Sequence, residues 1–175
     1  RKFVFSNQAE EEFNQRLVGQ TIVTITPVGN HLFIATSGGA VLNIGDTGGK
    51  LLYHADQSSV PARYDLKVSF SDGSSLTLSV QMWGFIAAVR AEEAARHQAS
   101  ILEEARDPLS EHVTPTAFLR WLQAWEEAPK ISAKKWIISR KYVTGLGNGY
   151  VREILFRAGI HPRRKMNTLS DAEAT

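Results

Sequence analysis

There is no cysteine among the 175 residues of the chain. Its absence excludes disulfides and thiolate metal sites and fits a reducing compartment. No run approaches the ~18 apolar residues of a membrane-spanning helix, so no membrane partner is expected. The opening Arg1-Lys2-Phe3-Val4-Phe5 has strand character and no cleavage site, so no leader peptide is expected. Internal repeats and low-complexity tracts are missing. The five histidines, His31, His54, His97, His112 and His161, show no ligand spacing, so neither a metal nor a cofactor is expected. The chain has no Walker-type phosphate loop and no Ser/His/Asp motif.

What is present is an ordinary globular composition, 43% hydrophobic and 22% charged, with enough apolar residues for a real core. The net charge of +2 hides an uneven distribution. Residues 1–90 hold seven Lys/Arg and seven Asp/Glu, whereas residues 130–165 hold ten basic residues and one acid, Glu153. The ten are Lys130, Lys134, Lys135, Arg140, Lys141, Arg152, Arg157, Arg163, Arg164 and Lys165. Charge of that density is either a solvated helix face or an electrostatic footprint for phosphate.

The first half reads as β-structure. Short apolar runs lie at 21–26 (broken by Pro27), 31–36, 41–44, 51–54, 64–70 and 75–80, separated by glycine-rich turns. Ser71-Asp72-Gly73-Ser74 is a hairpin signal, because Asp-Gly supplies the positive φ of a tight turn. Ala9–Leu17 reads as a short amphipathic helix with Phe13 and Leu17 on one face. The second half reads as helical. Helices are expected over 91–104, from a Thr114 cap and Pro115 through Trp125, over 133–143 from a Ser132 cap, and over 149–158. Pro129, Gly159 and Pro162 act as stops. The expected fold is α+β: an antiparallel β-sandwich over 1–90, then a helical domain over 91–175.

One segment carries the chemistry. Lys134 to Tyr142 forms a basic, apolar-backed helix. Gly145-Leu146-Gly147-Asn148-Gly149-Tyr150 follows, and a second helix ends at Ala158-Gly159-Ile160-His161-Pro162. The glycines let main-chain N–H groups approach an anion, and the dipole at the start of the second helix favours the same ligand. Asn148 is suited to cap that helix or to offer its amide outward. Read alone, a Gly-x-Gly turn also fits a plain helix–helix connection.

The complete string closely resembles the helix–two-turns–helix motif of the formamidopyrimidine-DNA glycosylase/endonuclease VIII family. The matching positions are Lys134, Gly145, Gly147, Asn148, Tyr150, Glu153, Leu155, Phe156, Ala158, Gly159, Ile160, His161 and Pro162. Asp107-Pro108-Leu109-Ser110 resembles the family's loop before its helices. Further back, Gly19 to Ile22, Gly29 to Leu32, Ile44 to Gly49 and Gln81-Met82-Trp83-Gly84 resemble family strands and turns. The resemblance therefore runs over nearly the whole chain.

It implies a base-excision repair glycosylase with abasic-site lyase activity. Such an enzyme excises an oxidised or damaged base by flipping the nucleotide out of the duplex. Lys134, Gly145, Gly147, Asn148, Tyr150 and Asn30 would contact the backbone, and Gln81, Met82 and Trp83 would enter the gap. The implied partner is double-stranded DNA with damaged bases or abasic sites, bound by a monomer in a bacterial cytoplasm or a eukaryotic nucleus. Family members attack through an N-terminal proline with a glutamate beside it. No such pair stands at Arg1-Lys2, so no catalytic residue is expected within this chain and a fragment of a longer enzyme is the favoured reading. No cysteine-based zinc finger is present either. Four positions depart from the family pattern: Asn30 for a lysine, Asp46 for a methionine, Gln81 for an arginine and Trp83 for a phenylalanine. A non-catalytic nucleic-acid-binding protein on the same scaffold, or a protein–protein module, remains the alternative. For Met82 and Trp83 the alternative is ordinary core packing.

Overall fold

The computed structural model describes residues 3–6, 8–45, 47–104, 107–124, 130–139 and 143–174. Asp46, Trp125, Pro129, Arg140, Lys141 and Tyr142 lie outside the described residues. The chain divides into two units, Arg1–Pro27 with His31–Ala94, and Val28–Asn30 with Ala95–Thr175.

The first unit holds β1 (Phe3–Phe5), α1 (Glu10–Leu17), β2 (Ile22–Val28), β3 (His31–Thr36), β4 (Ala40–Gly45), β5 (Lys50–His54), β6 (Leu66–Ser69), β7 (Ser75–Ser79) and β8 (Trp83–Arg90). Among the described residues these make a five-stranded sheet in the order β1-β8-β4-β3-β2 and a three-stranded sheet in the order β5-β7-β6. Ile34, Leu42, Ile44 and Ile86 of the larger sheet share one core with Leu78 of the smaller one and with Val80, just past the end of β7. Phe13 and Leu17 of α1 pack against it, as the i, i+4 spacing demands. Burial of each large aliphatic side chain here stabilises the unit by about 1.5–3 kcal/mol.

The antiparallel sheets followed by helices are as expected, with one parallel pair added: β1 lies along β8, Phe3 opposite Trp83. One expectation needs correction, since Pro27 does not end its strand: β2 continues to Val28. It is an edge strand, where a residue without an N–H costs no ladder bond. Gln8 extends the sheet beyond β1 with its side chain. Its amide donates to the Ala88 carbonyl at 2.6 Å and accepts from the Ala88 N–H at 2.7 Å.

In the second unit, α2 (Ala91–Glu104) leads from the first unit, and α3 (Pro115–Ala124), α4 (Ala133–Ile138), α5 (Asn148–Arg157) and the short α6 (Asp171–Ala174) follow. Thr114 caps α3 as expected, its Oγ1 accepting from the Ala117 N–H at 3.1 Å. The core is built from Ala133, Trp136, Val151, Leu155, Ile160 and Met166, with Phe118 edge-on to Trp136 at a centroid distance of 4.6 Å. α4 is shorter than the expected 133–143. It ends at Ile138, where the Ser139 hydroxyl donates back to the Trp136 carbonyl at 2.7 Å. Among the described residues no helix is long and apolar enough to cross a membrane.

Candidate nucleic-acid interface

The helix pair of the second unit is set by its core. Trp136 of α4 and Val151 and Leu155 of α5 are buried, which turns Lys134, Lys135, Arg152 and Tyr150 outward. Ser132 caps α4 through the Lys135 N–H at 3.3 Å. The start of α4 is tied to the later basic stretch, with the Ala133 N–H on the Arg164 carbonyl at 2.9 Å and the Lys134 N–H on the Pro162 carbonyl at 3.2 Å. Lys134 and Lys135 are thereby brought to exposed Arg163 and Lys165.

Between the helices, Gly145 adopts φ +81°, a conformation that disfavours any side chain. Asn148 does not cap α5. Gly147 does, with an extended backbone, and Asn148 is the first helical residue. A cap without a side chain leaves the amides of the first turn open, since helix geometry gives them no acceptor of their own. Gly147, Asn148, Gly149 and Tyr150 are all exposed, and a β-carbon on either glycine would meet nothing within 4 Å. Open amides, a positive helix end and nearby lysines make an anion-binding surface.

Residues 28–30, the tip of the β2–β3 hairpin, belong to this second unit. A β-carbon on Gly29 (φ +60°) would stand 2.7 Å from the Oγ1 of buried Thr144, and one on Gly145 would stand 3.3 Å from the Gly29 carbonyl oxygen. The tip therefore sits directly on the glycine turn, and exposed Asn30 is brought beside it.

Charge in the basic segment is partly consumed. Glu153 pairs with Arg157 at 2.8 Å on the exposed face of α5. Arg164 holds Glu173 through two bonds, 2.5 and 2.9 Å. That guanidinium, helped by the Ser170 amide and hydroxyl, lowers the Glu173 carboxyl to about 2. Arg157 and Arg164 are thus engaged within the protein.

In the first unit, Gln81-Met82-Trp83 forms an exposed turn at the start of β8. The Trp83 N–H donates to the Gln81 carbonyl at 2.9 Å across Met82, whose φ is +68°. This is a γ-turn of the rare, strained kind. Met82 is 65% exposed and Trp83 56% exposed, which overturns core packing for both. The 47–49 turn lies against this segment. A β-carbon on Gly49 would run into the Ser79 carbonyl, one on Gly48 would lie 3.4 Å from the Gln81 carbonyl oxygen, and one on Gly84 would lie 3.3 Å from the Thr47 Cβ. Two of the turns singled out in the sequence are therefore neighbours within one unit.

Sequence reasoning missed a buried pair on β3 and β4, His31 Nδ1 at 3.1 Å from Asn43 Oδ1. The available signal was a polar residue inside each of two apolar strand runs. Lacking ligand spacing, neither attracted attention.

A β-sheet unit followed by these helices and glycine turn defines a helix–two-turns–helix protein, and comparison with known proteins agrees. Residues 105–175 match the family described as formamidopyrimidine-DNA glycosylase H2TH domain. The chain is similar to the formamidopyrimidine-DNA glycosylases of Bacillus anthracis (26% identical over 164 residues, 93% of this chain and 58% of the relative) and Enterococcus faecalis (28% over 162 residues, 92% and 56%). Its fold is similar to that of Lactococcus lactis Fpg solved in complex with DNA containing an abasic site, with a TM-score of 0.78, 23% identity, 94% of this chain and 59% of that one covered. Residues 105–175 thus carry the H2TH domain of the formamidopyrimidine-DNA glycosylases, and nearly the whole chain is similar to those enzymes in sequence and to Fpg in fold. It spans somewhat less than three fifths of the length of these relatives.

Proposed function

We propose that this chain is the duplex-holding part of a DNA glycosylase with abasic-site lyase activity. The single observation that carries this reading is the open start of α5: Gly147 as a cap with no side chain, exposed Asn148, Gly149 and Tyr150, and the cationic start of α4 on the same unit. Contacts of this type grip phosphate and position a duplex without reading its sequence. Lys134, Gly145, Gly147, Asn148 and Tyr150, with Asn30 on the hairpin tip, form the clamp.

Met82 and Trp83 form the wedge. An exposed aromatic on a strained turn can enter the stack where a nucleotide leaves it, and unstacking at a damaged or abasic site costs only a few kcal/mol. Gln81 offers an amide to the base left opposite. A carboxylate at residue 46 is a poor filler of a stacking void, which supports a lesion preference different from that of relatives with methionine there.

The chemistry needs a nucleophilic amine to form a Schiff base at the sugar C1′ and a base to remove the 2′ proton for β-elimination. In this reading the amine comes from a residue outside 1–175. Borohydride trapping of the full-length protein on abasic-site DNA tests the reading. A covalent adduct is the expected result; salt-sensitive binding with no adduct favours the non-catalytic DNA-binding alternative.

A further inference from the structure

His31 and Asn43 are polar residues 7% and 1% exposed, diagonal to each other on the adjacent strands β3 and β4, with His31 opposite Gly45 and Asn43 opposite Phe33. Their bond has the His31 Nδ1–H donating to the Asn43 Oδ1 at 3.1 Å. The imidazole stacks on Phe33 at a centroid distance of 5.9 Å and tilts over Phe85 at 6.0 Å. Its place exists only because its cross-strand partner is Gly45, where a β-carbon would stand 2.0 Å from Nδ1. Gly45 is in turn registered with Phe85 on β8. The ring therefore sits where three strands meet.

Each of those strands leads somewhere relevant. β4 ends at Gly45, and the turn through Thr47, Gly48 and Gly49 follows at once. Phe85 stands two residues after Trp83. Two apolar side chains of the same size would fill this space at no greater cost than a buried polar pair. What a hydrogen bond adds is direction: it fixes the ring against Gly45 and Phe85 in one arrangement.

We propose that His31 and Asn43 are a positioning pair that holds the 47–49 turn and the Gln81-Met82-Trp83 turn in register, and so sets the preference for a gapped duplex over an intact one. The inference rests on the wedge reading of Met82 and Trp83. Sites of this kind depend on placement to within about 0.5 Å, which a buried directional contact supplies and loose packing does not.

The test compares the full-length protein with His31→Phe and Asn43→Leu. The probes are a short intact duplex and the same duplex with one tetrahydrofuran abasic-site analogue opposite 2-aminopurine. Both variants are expected to lose about tenfold in preference for the abasic-site duplex. The 2-aminopurine signal should fall with it, while affinity for the intact duplex stays within about twofold. His31→Phe keeps the ring volume between Phe33 and Phe85, so it decides the matter if Asn43→Leu does not fold. A folded His31→Phe protein with the full preference overturns the proposal. So does an equal loss on both duplexes, which marks a purely structural role. Wild-type protein with no preference at all removes the wedge reading itself, an outcome visible before any variant is made.

Discussion

The main-chain N–H of Trp83 donates to the carbonyl of Gln81 at 2.9 Å, and the bond forces Met82 between them to φ +68°. A side chain at that φ costs roughly 1 kcal/mol or more, which glycine avoids. Met82→Gly is therefore expected to raise the thermal midpoint by about 2–4 °C while weakening the preference for abasic-site DNA. Met82→Ala keeps the strain and should lose the preference without the thermal gain. Thermal melts beside binding titrations check both, and a lower midpoint for Met82→Gly contradicts the strained-turn account.

Trp83 is more than half exposed. Its replacement by alanine should change stability by no more than about 0.5 kcal/mol. If the indole is the wedge, the same change should still cost tenfold or more in abasic-site preference, by the few kcal/mol typical of inserted side chains (about 1.4 kcal/mol per tenfold). A large drop in denaturation midpoint would place the indole in packing instead.

Lys134→Ala and Asn148→Ala should weaken binding to duplexes of any sequence. For Lys134→Ala the slope of log affinity against log salt should fall by about 1. Asn148→Ala removes no charge and should leave the slope unchanged. Affinities intact in both variants would end the clamp interpretation.

The two glycines of the turn separate stability from binding. Gly145 has φ +81° and touches Gly29, so Gly145→Ala should destabilise by about 1–2 kcal/mol. Gly147 has φ −83° and open space around it. Gly147→Ala should therefore fold with little loss, yet bind DNA less tightly because a methyl group intrudes where phosphate would approach the amides. Equal melting losses in the two variants would contradict this division.

Glu173 is held at about 2 by the Arg164 guanidinium, with Ser170 second. A carboxyl depressed below its ordinary 4.5 contributes stability that is full above that value and fades as pH falls toward 2. The difference in stability between wild type and Glu173→Gln should therefore be constant above about pH 5 and shrink below it. Acid titrations of the two proteins, followed by tryptophan fluorescence, measure this. A difference that persists unchanged to about pH 2 rules out the ion pair as its source.

Local chemistry was legible in the sequence. Thr114 and Ser132 cap their helices because the hydroxyl and the residue that follows already specify the start. Asp72-Gly73 turns β6 into β7 for the same reason. The glycine string from Gly145 to Gly149 marked the most informative surface. What the sequence hid was cross-chain. Nothing local pairs Phe3 with Trp83, or sets Gly29 on Gly145. The γ-turn at Met82 was hidden too, because methionine carries no signal for positive φ. Residue type leaves Asn148 open as a cap or as an outward amide, and the backbone gives the cap to Gly147 and leaves Asn148 exposed. α4 is shorter than expected because neither glycine nor proline follows Ile138 before Gly145, whereas the Ser139 hydroxyl bonds back to the Trp136 carbonyl where the helix ends.

The parallel strand β1 bears on synthesis. β1 and Gln8 both find their partners on β8, and the Gln8 bonds to Ala88 bridge 80 positions. A ribosome must release β8 before β1 has that partner. Closing so long a loop is slow, so this pairing is expected to form late during folding.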